Sequence, residues 1–216
     1  MTPLAKQIIA EGQADHILND WQLARLLGGS DERRYGLVNR ALKAGELVRI
    51  KRGVYVLADK LRDAPVHPFA LAQYLVPGSY VSGESALSFH GWIPEAVHSV
   101  LSVTSRAKSV NYEHERLGKF EFRRMTVMPG YFLQAVARHK LQHQVALIAD
   151  PLRALLDLVY LRKLEWQGLG YLVDGMRIDE QQLRTVTSLD VTRLLDIYKG
   201  KREQMFVDEL QRSLGL

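Results

Sequence analysis

The chain has 216 residues, 47% of them apolar and 25% charged, with a formal net charge of +5 and no cysteine. Such a composition suits one large or two small globular cores, and it excludes structural disulfides and thiolate-held zinc or iron–sulfur sites. The charge is unevenly placed: residues 1–62 hold 11 Lys/Arg against 7 Asp/Glu, whereas residues 63–216 hold 18 against 17, which predicts a polyanion-binding module followed by a nearly neutral one.

Pro3–Glu11 has a helical pattern, with Leu4, Ile8 and Ile9 on one side and a proline near its start. Asn19 followed by Gln22 is a capping-box pair, so a second helix should open there, place Trp21, Ala24, Leu27 and Leu23 inward, and stop at Gly28-Gly29. Ser30 caps a third helix that runs to Ala44, with Asp31 and Glu32 at its positive end and Gly45 as its stop. A helical wheel centred on Val38 puts Tyr35, Ala41 and Leu42 inside. It puts Arg33, Gly36, Arg40 and Lys43 outside, with Asn39 at the edge. Arg34 falls towards the inner side as a flank.

Leu47–Ile50 and Val54–Leu57 are β-rich runs joined by Lys51-Arg52-Gly53, a tight basic hairpin. Helix, helix, basic hairpin is the order of a winged helix-turn-helix, and residues 1–62 are expected to form one. In that arrangement Arg33 and Arg40 suit guanine, Asn39 suits adenine, and Lys43 suits a phosphate. Gly36 would let the backbone lie close to DNA, and Arg49, Lys51 and Arg52 would lie along the phosphates. A solvated charged face is the competing explanation for the helix alone; the hairpin that follows it favours DNA.

Asp63–Pro68 reads as a linker, and residues 63–216 as a mixed α+β domain with a helical C-terminal end. Its expected elements are helices over Phe69–Val76 and from Ser82 to His90, then strands at Tyr80-Val81, Val97–Thr104 and Lys119–Val127. Weaker strands fall at Tyr131-Phe132 and Val145–Ile148. Asp150-Pro151 opens a helix whose Leu152, Leu155, Leu156, Val159 and Tyr160 form a wide apolar face, and helical segments follow over Asp179–Val186, Leu189–Tyr198 and Arg202–Ser213. Val145–Leu161 carries Asp150, Arg153 and Asp157, so it does not read as a membrane span, and Lys6 and Glu11 interrupt any leader-like apolar run near Met1. A soluble, cytoplasmic protein without membrane partners is the expectation.

Catalytic and metal-binding patterns are weak. Ser85 and His90 lie about 140° apart around a helix, with no orienting acid. His139 and His143 have i,i+4 spacing, but an exposed pair explains them. Arg106, Lys108, Arg123 and Arg124 read as a solvated hairpin, and Arg153 with Asp157 as an intrahelical ion pair. Gly168-Leu169-Gly170 lacks the rest of a phosphate loop. No catalytic residue, metal or cofactor is expected.

Taken in order, the basic module, YVSGESALSFHGWIPE (Tyr80–Glu95) and ALIADPLRALLDLVYLRK (Ala146–Lys163) resemble AbiEi-type antitoxins of type IV toxin–antitoxin systems, which act in abortive infection and viral defence. The first motif corresponds to Ser82, Ser85, Ala86, Leu87 and Gly91, with Trp92 where a leucine is common. The second corresponds to Ile148, Ala149, Pro151, Arg153, Ala154, Leu155 and Asp157, with Leu152 where an acid is often found. The resemblance implies an antitoxin-domain motif of Ser82, Ser85, Arg153 and Asp157. It also implies a bacterial, operator-binding autorepressor paired with a nucleotidyltransferase-like toxin, without a stable direct complex. Two alternatives stay open: an enzyme acting on nucleic acid or on the toxin from the second domain, and a winged-helix repressor that senses a small ligand there.

Overall fold

The structure, a computed structural model, describes residues 1–95, 97–106, 108–115 and 117–216. It is mixed α+β with a helical C-terminal end, and it divides into two compact units. The first comprises Met1–Pro77 with Lys140–Ala146, and the second Gly78–His139 with Leu147–Leu216.

In the first unit α1 (Pro3–Ala10) is capped by Thr2, and α2 (Asp20–Leu27) opens on the Asn19–Gln22 capping box, with both reciprocal bonds made. Between them β1 (Leu18–Asn19) pairs with Val54–Tyr55. Ser30 caps α3 (Asp31–Lys43), and Gly45 follows with φ +63°, the left-handed stop that a side chain would disfavour. Strands β2 (Leu47–Lys51) and β3 (Val54–Leu57) complete an antiparallel sheet in the order β1-β3-β2, tied by a two-residue Arg52-Gly53 turn. One sheet face carries Leu18, Leu47, Tyr55 and Leu57 into a core with Leu4, Ile8, Leu23, Leu27, Leu37, Val38 and Ala41.

Two expectations about packing change. Trp21 is 66% exposed because Leu23 and Leu27 supply the inward stripe of α2, and Ile9 is exposed while Ala5 is buried on α1. The segment Asp63–Pro68 is no loose linker. The amides of Asp63 and Ala64 both donate to Asp15 Oδ1 at 2.9 Å, and Gln144 Nε2 donates to the Pro65 carbonyl while its Oε1 accepts from the His67 amide. The first unit therefore extends beyond the expected boundary at Arg62 and includes α4 (Pro68–Leu75).

The second unit holds a six-stranded mixed sheet in the order β6-β7-β5-β4-β9-β8, except that Lys140–Leu141 of β8 and Gln144–Ala146 of β9 are counted with the first unit. Its strands are β4 (Tyr80–Val81), β5 (Ser99–Thr104), β6 (Val110–His114), β7 (Gly118–Arg124), β8 (Val136–Leu141) and β9 (Gln144–Ala149). Strands β6 and β8 were not expected from the sequence, and Tyr131-Phe132 does not form a strand. Helix α5 (Gly83–Phe89) and helix α6 (Pro151–Arg162) pack together, and α7 (Glu180–Leu183), α8 (Ser188–Thr192) and α9 (Lys201–Leu214) close the chain. Thr187 caps α8 through a capping box with Asp190, and the helix stops at Thr192, short of the expected Tyr198. Among the described residues no helix is long and apolar enough to cross a membrane.

Gly83 is the glycine that the second unit needs most. Its φ is +55°, and a methyl placed on it would lie 2.4 Å from Leu101 Cδ2 and 3.0 Å from Leu158 Cδ2. Gly83→Ala should cost about 2–4 kcal/mol from the combined overpacking and left-handed strain, read as a lower urea midpoint.

Candidate functional site

Burial shows how α3 is turned. Leu37, Val38 and Ala41 are buried and Leu42 only partly, so the inner face centres near Ala41, with Leu37 and Val38 on either side. That rotates the helix by about 50° from a wheel centred on Val38. Tyr35, expected inside, is 63% exposed. The outward stripe consists of Glu32, Gly36, Asn39 and Lys43, flanked by Tyr35 on one side and Arg40 on the other.

The predicted contact residues separate into two groups. The side chains of Asn39, Arg40, Lys43 and Arg52 are exposed and make no hydrogen bond or ion pair among the described residues. Arg49 is exposed on the helix-facing side of the sheet edge, its guanidinium 5.8 Å from the centre of the Tyr55 ring. Arg33 and Lys51 are engaged within the protein. Arg33 Nη1 donates to the Leu27 carbonyl at 3.0 Å, satisfying an end carbonyl of α2. Lys51 Nζ donates to the Leu75 carbonyl at 2.6 Å, at the negative end of α4. Its strand position explains this. After the irregularity between Arg49 and Lys51, Lys51 pairs with Val54 on the sheet face that also carries Val48 and Val56, away from the helical core.

The hairpin turn is held against the start of α2. The Asp20 amide donates to the Gly53 carbonyl at 3.1 Å, and a methyl at Gly53, whose φ is +79°, would lie 2.7 Å from Asp20 Oδ2. The turn that displays Arg52 is thus short and docked. Beside it α2 displays Trp21, which the hydrophobicity pattern assigned to the interior, with the Arg25 guanidinium 5.4 Å from its ring.

In the second unit three of the four motif residues meet in one buried polar centre. Arg153 and Asp157 are both 0% exposed and form an ion pair at 2.9 Å. Asp157 also accepts from Tyr80 Oη at 2.9 Å, Ser82 Oγ at 2.6 Å and Tyr198 Oη at 2.6 Å. Arg153 donates onward to Tyr80 Oη at 2.5 Å and to the Gln134 carbonyl at 2.7 Å. Burial works against the Arg153 cation, but Asp157 and the two phenols outweigh it and raise its pKa further. Burial, then Asp157, raises the Tyr80 and Tyr198 phenols well above their ordinary value. The expected intrahelical pair therefore exists, but as the hub of a buried network. Tyr80 and Tyr198 were missed because nothing in their local sequence marks the meeting point.

Ser82 does not cap α5 with its side chain; its hydroxyl is committed to Asp157. Ser85 stands apart from the network: its hydroxyl donates to the Ser99 carbonyl at 3.1 Å and accepts from the Leu101 amide at 2.9 Å. It does not meet His90, whose Nε2 donates to the Ala149 carbonyl at 3.0 Å. A serine–histidine dyad is not assembled here. His139 lies on β8 and the exposed His143 in the following turn, so the pair does not share a helix face. Among the described residues no group of three or more His, Asp or Glu side chains could hold a metal. Arg123 is occupied by Asn111 and Glu121.

His90 packs edge-on against Phe89 and His139, with ring centres 5.0 and 5.5 Å away. Burial lowers its pKa; the Ala149 carbonyl opposes this, His139 adds to it, and Asp150 opposes it. Because the folded state holds the proton less tightly than the unfolded chain, stability should be full above the unfolded value near 6.5 and fall as pH drops below it. Thermal midpoints measured from about pH 7.5 down to about pH 5.5 should fall, and His90→Gln should flatten that slope. His67 in the first unit, also lowered by burial, contributes with the same sign and should persist in the variant.

No protein-family profile matches the chain, and no curated protein matches it in sequence.

Proposed function

We propose that the first unit is a winged helix-turn-helix that binds duplex DNA, with α3 in the major groove and the β2–β3 turn against the backbone. The observation that carries this is the outward stripe of α3, where Asn39, Arg40 and Lys43 stand exposed without internal partners. A purely structural charged helix of this kind would normally exchange ion pairs along its surface, as Arg34 does with Asp31. The order α1-β1-α2-α3-β2-β3 and the antiparallel sheet add support. The working set is Asn39 and Arg40 at base edges, and Lys43, Arg49 and Arg52 at phosphates. Arg33 and Lys51 are left out because their side chains hold the fold.

On the likeness of its motifs, the chain is a cytoplasmic antitoxin of AbiEi type. It represses its own operon and counters a nucleotidyltransferase-like toxin, and the second unit carries the antitoxin role. Anisotropy titrations of the full chain against labelled promoter duplex across a salt series test the DNA-binding part. Three phosphate contacts predict a slope of log affinity on log salt of about −2.7. Absence of binding at low salt would overturn it. Growth rescue of cells expressing a cognate nucleotidyltransferase-like toxin tests the antitoxin part.

A further inference from the structure

Gly36 has no reason within the fold to be glycine. It sits inside α3 with an ordinary helical φ, and a methyl placed there would meet nothing nearer than Arg40 Nη1 at 3.9 Å. A mid-helix glycine is nonetheless about 1 kcal/mol worse than alanine. Glycine at such a position is accounted for when another molecule must approach the backbone closely.

The surroundings say what that molecule is. The gap at Gly36 is bordered on the outward stripe by Tyr35, which is exposed and makes no hydrogen bond or ring contact among the described residues, and by Asn39 and Arg40. Tyr35 and Asn39 are one turn apart on nearly the same face, separated by about 6 Å along the axis, or roughly two base-pair steps. Charge orients the helix. On the outward stripe Glu32 stands in the first turn and Lys43 in the last, so the phosphate contact of this stripe falls to Lys43 at the C-terminal end. The Tyr35–Gly36–Asn39 stretch is left to face base edges.

Resting on the duplex-binding reading above, we infer that Tyr35 and Gly36 form a recess for the 5-methyl group of thymine, within two base-pair steps of an adenine held by Asn39. The thymine methyl is the one apolar group that the major groove displays, and an aromatic ring beside bare backbone is a fitting seat for it. The amide of Asn39 matches the N6 donor and N7 acceptor of adenine. The selected sequence should therefore contain at least one A·T pair under the centre of α3.

The test starts from selection of bound sequences out of a library of randomised duplexes with the wild-type chain. Replacing the contacted thymine by uracil in the winning duplex removes only the methyl and should weaken binding about fourfold. Tyr35→Ala should weaken wild-type duplex by at least that much and cost nothing more on the uracil duplex, while Tyr35→Phe stays within about twofold of wild type. Gly36→Ala should raise the melting temperature yet lower affinity for the selected duplex, a split that a merely structural glycine would not give. The inference is overturned if uracil binds as well as thymine. It is equally overturned if Tyr35→Phe loses as much as Tyr35→Ala on every sequence, the mark of a hydroxyl on a phosphate. Failure of the wild-type chain to bind any duplex would instead remove the reading beneath it, which separates the two.

Discussion

Asp157→Ala should unfold the second unit under conditions where the first survives. Removal of the carboxylate strands the Arg153 guanidinium at 0% exposure and deprives Tyr80, Ser82 and Tyr198 of their acceptor. Breaking one side of a buried pair costs about 3–5 kcal/mol, against a total domain stability of roughly 5–15 kcal/mol. Replacing both partners, Arg153→Met with Asp157→Leu, should cost less than Asp157→Ala alone, because no uncompensated charge then remains. Urea titrations followed by circular dichroism read both effects. An Asp157→Ala chain within about 1 kcal/mol of wild type would show that the network is dispensable. The result bears on the motif as well: Ser82, Arg153 and Asp157 then belong to the frame that joins β4, α6 and the 131–134 turn.

Charge removal on α3 and the hairpin turn should have the largest effect on DNA binding. Arg40→Ala is expected to cost about 1–3 kcal/mol and relax sequence preference, whereas Lys43→Ala and Arg52→Ala should weaken all sequences and each lower the salt slope by about one. The triple variant should lose about a hundredfold or more in affinity. Lys51→Ala supplies the contrast. Its ammonium is held by the Leu75 carbonyl, so affinity should stay within about twofold while stability falls by about 1–2 kcal/mol. A drop in affinity for Lys51→Ala equal to that for Arg52→Ala would mean that the α4 contact gives way when DNA arrives, and the division between the two groups would fall.

Local rules carried the sequence a long way. The Asn19–Gln22 box, the Ser30 cap and the Gly45 stop depend on residues within one turn of each other, so they could be read directly and they stand in the structure. The same holds for the β2–β3 hairpin, the Pro151 helix start and the α+β class with its helical end. Side-chain assignments depended on which stripe of each helix met the core, and that is settled by the partners. Leu37 displaced Tyr35 inside α3, and Leu23 displaced Trp21 inside α2, because β-strand leucines and the first helix select the best-packed stripe rather than the bulkiest residue. Long-range polar commitments were beyond reach for the same reason. Lys51 meets Leu75, and Asp157 meets residues some 40 to 80 positions away, only once the chain has folded to bring them together. Low dielectric then makes those bonds obligatory.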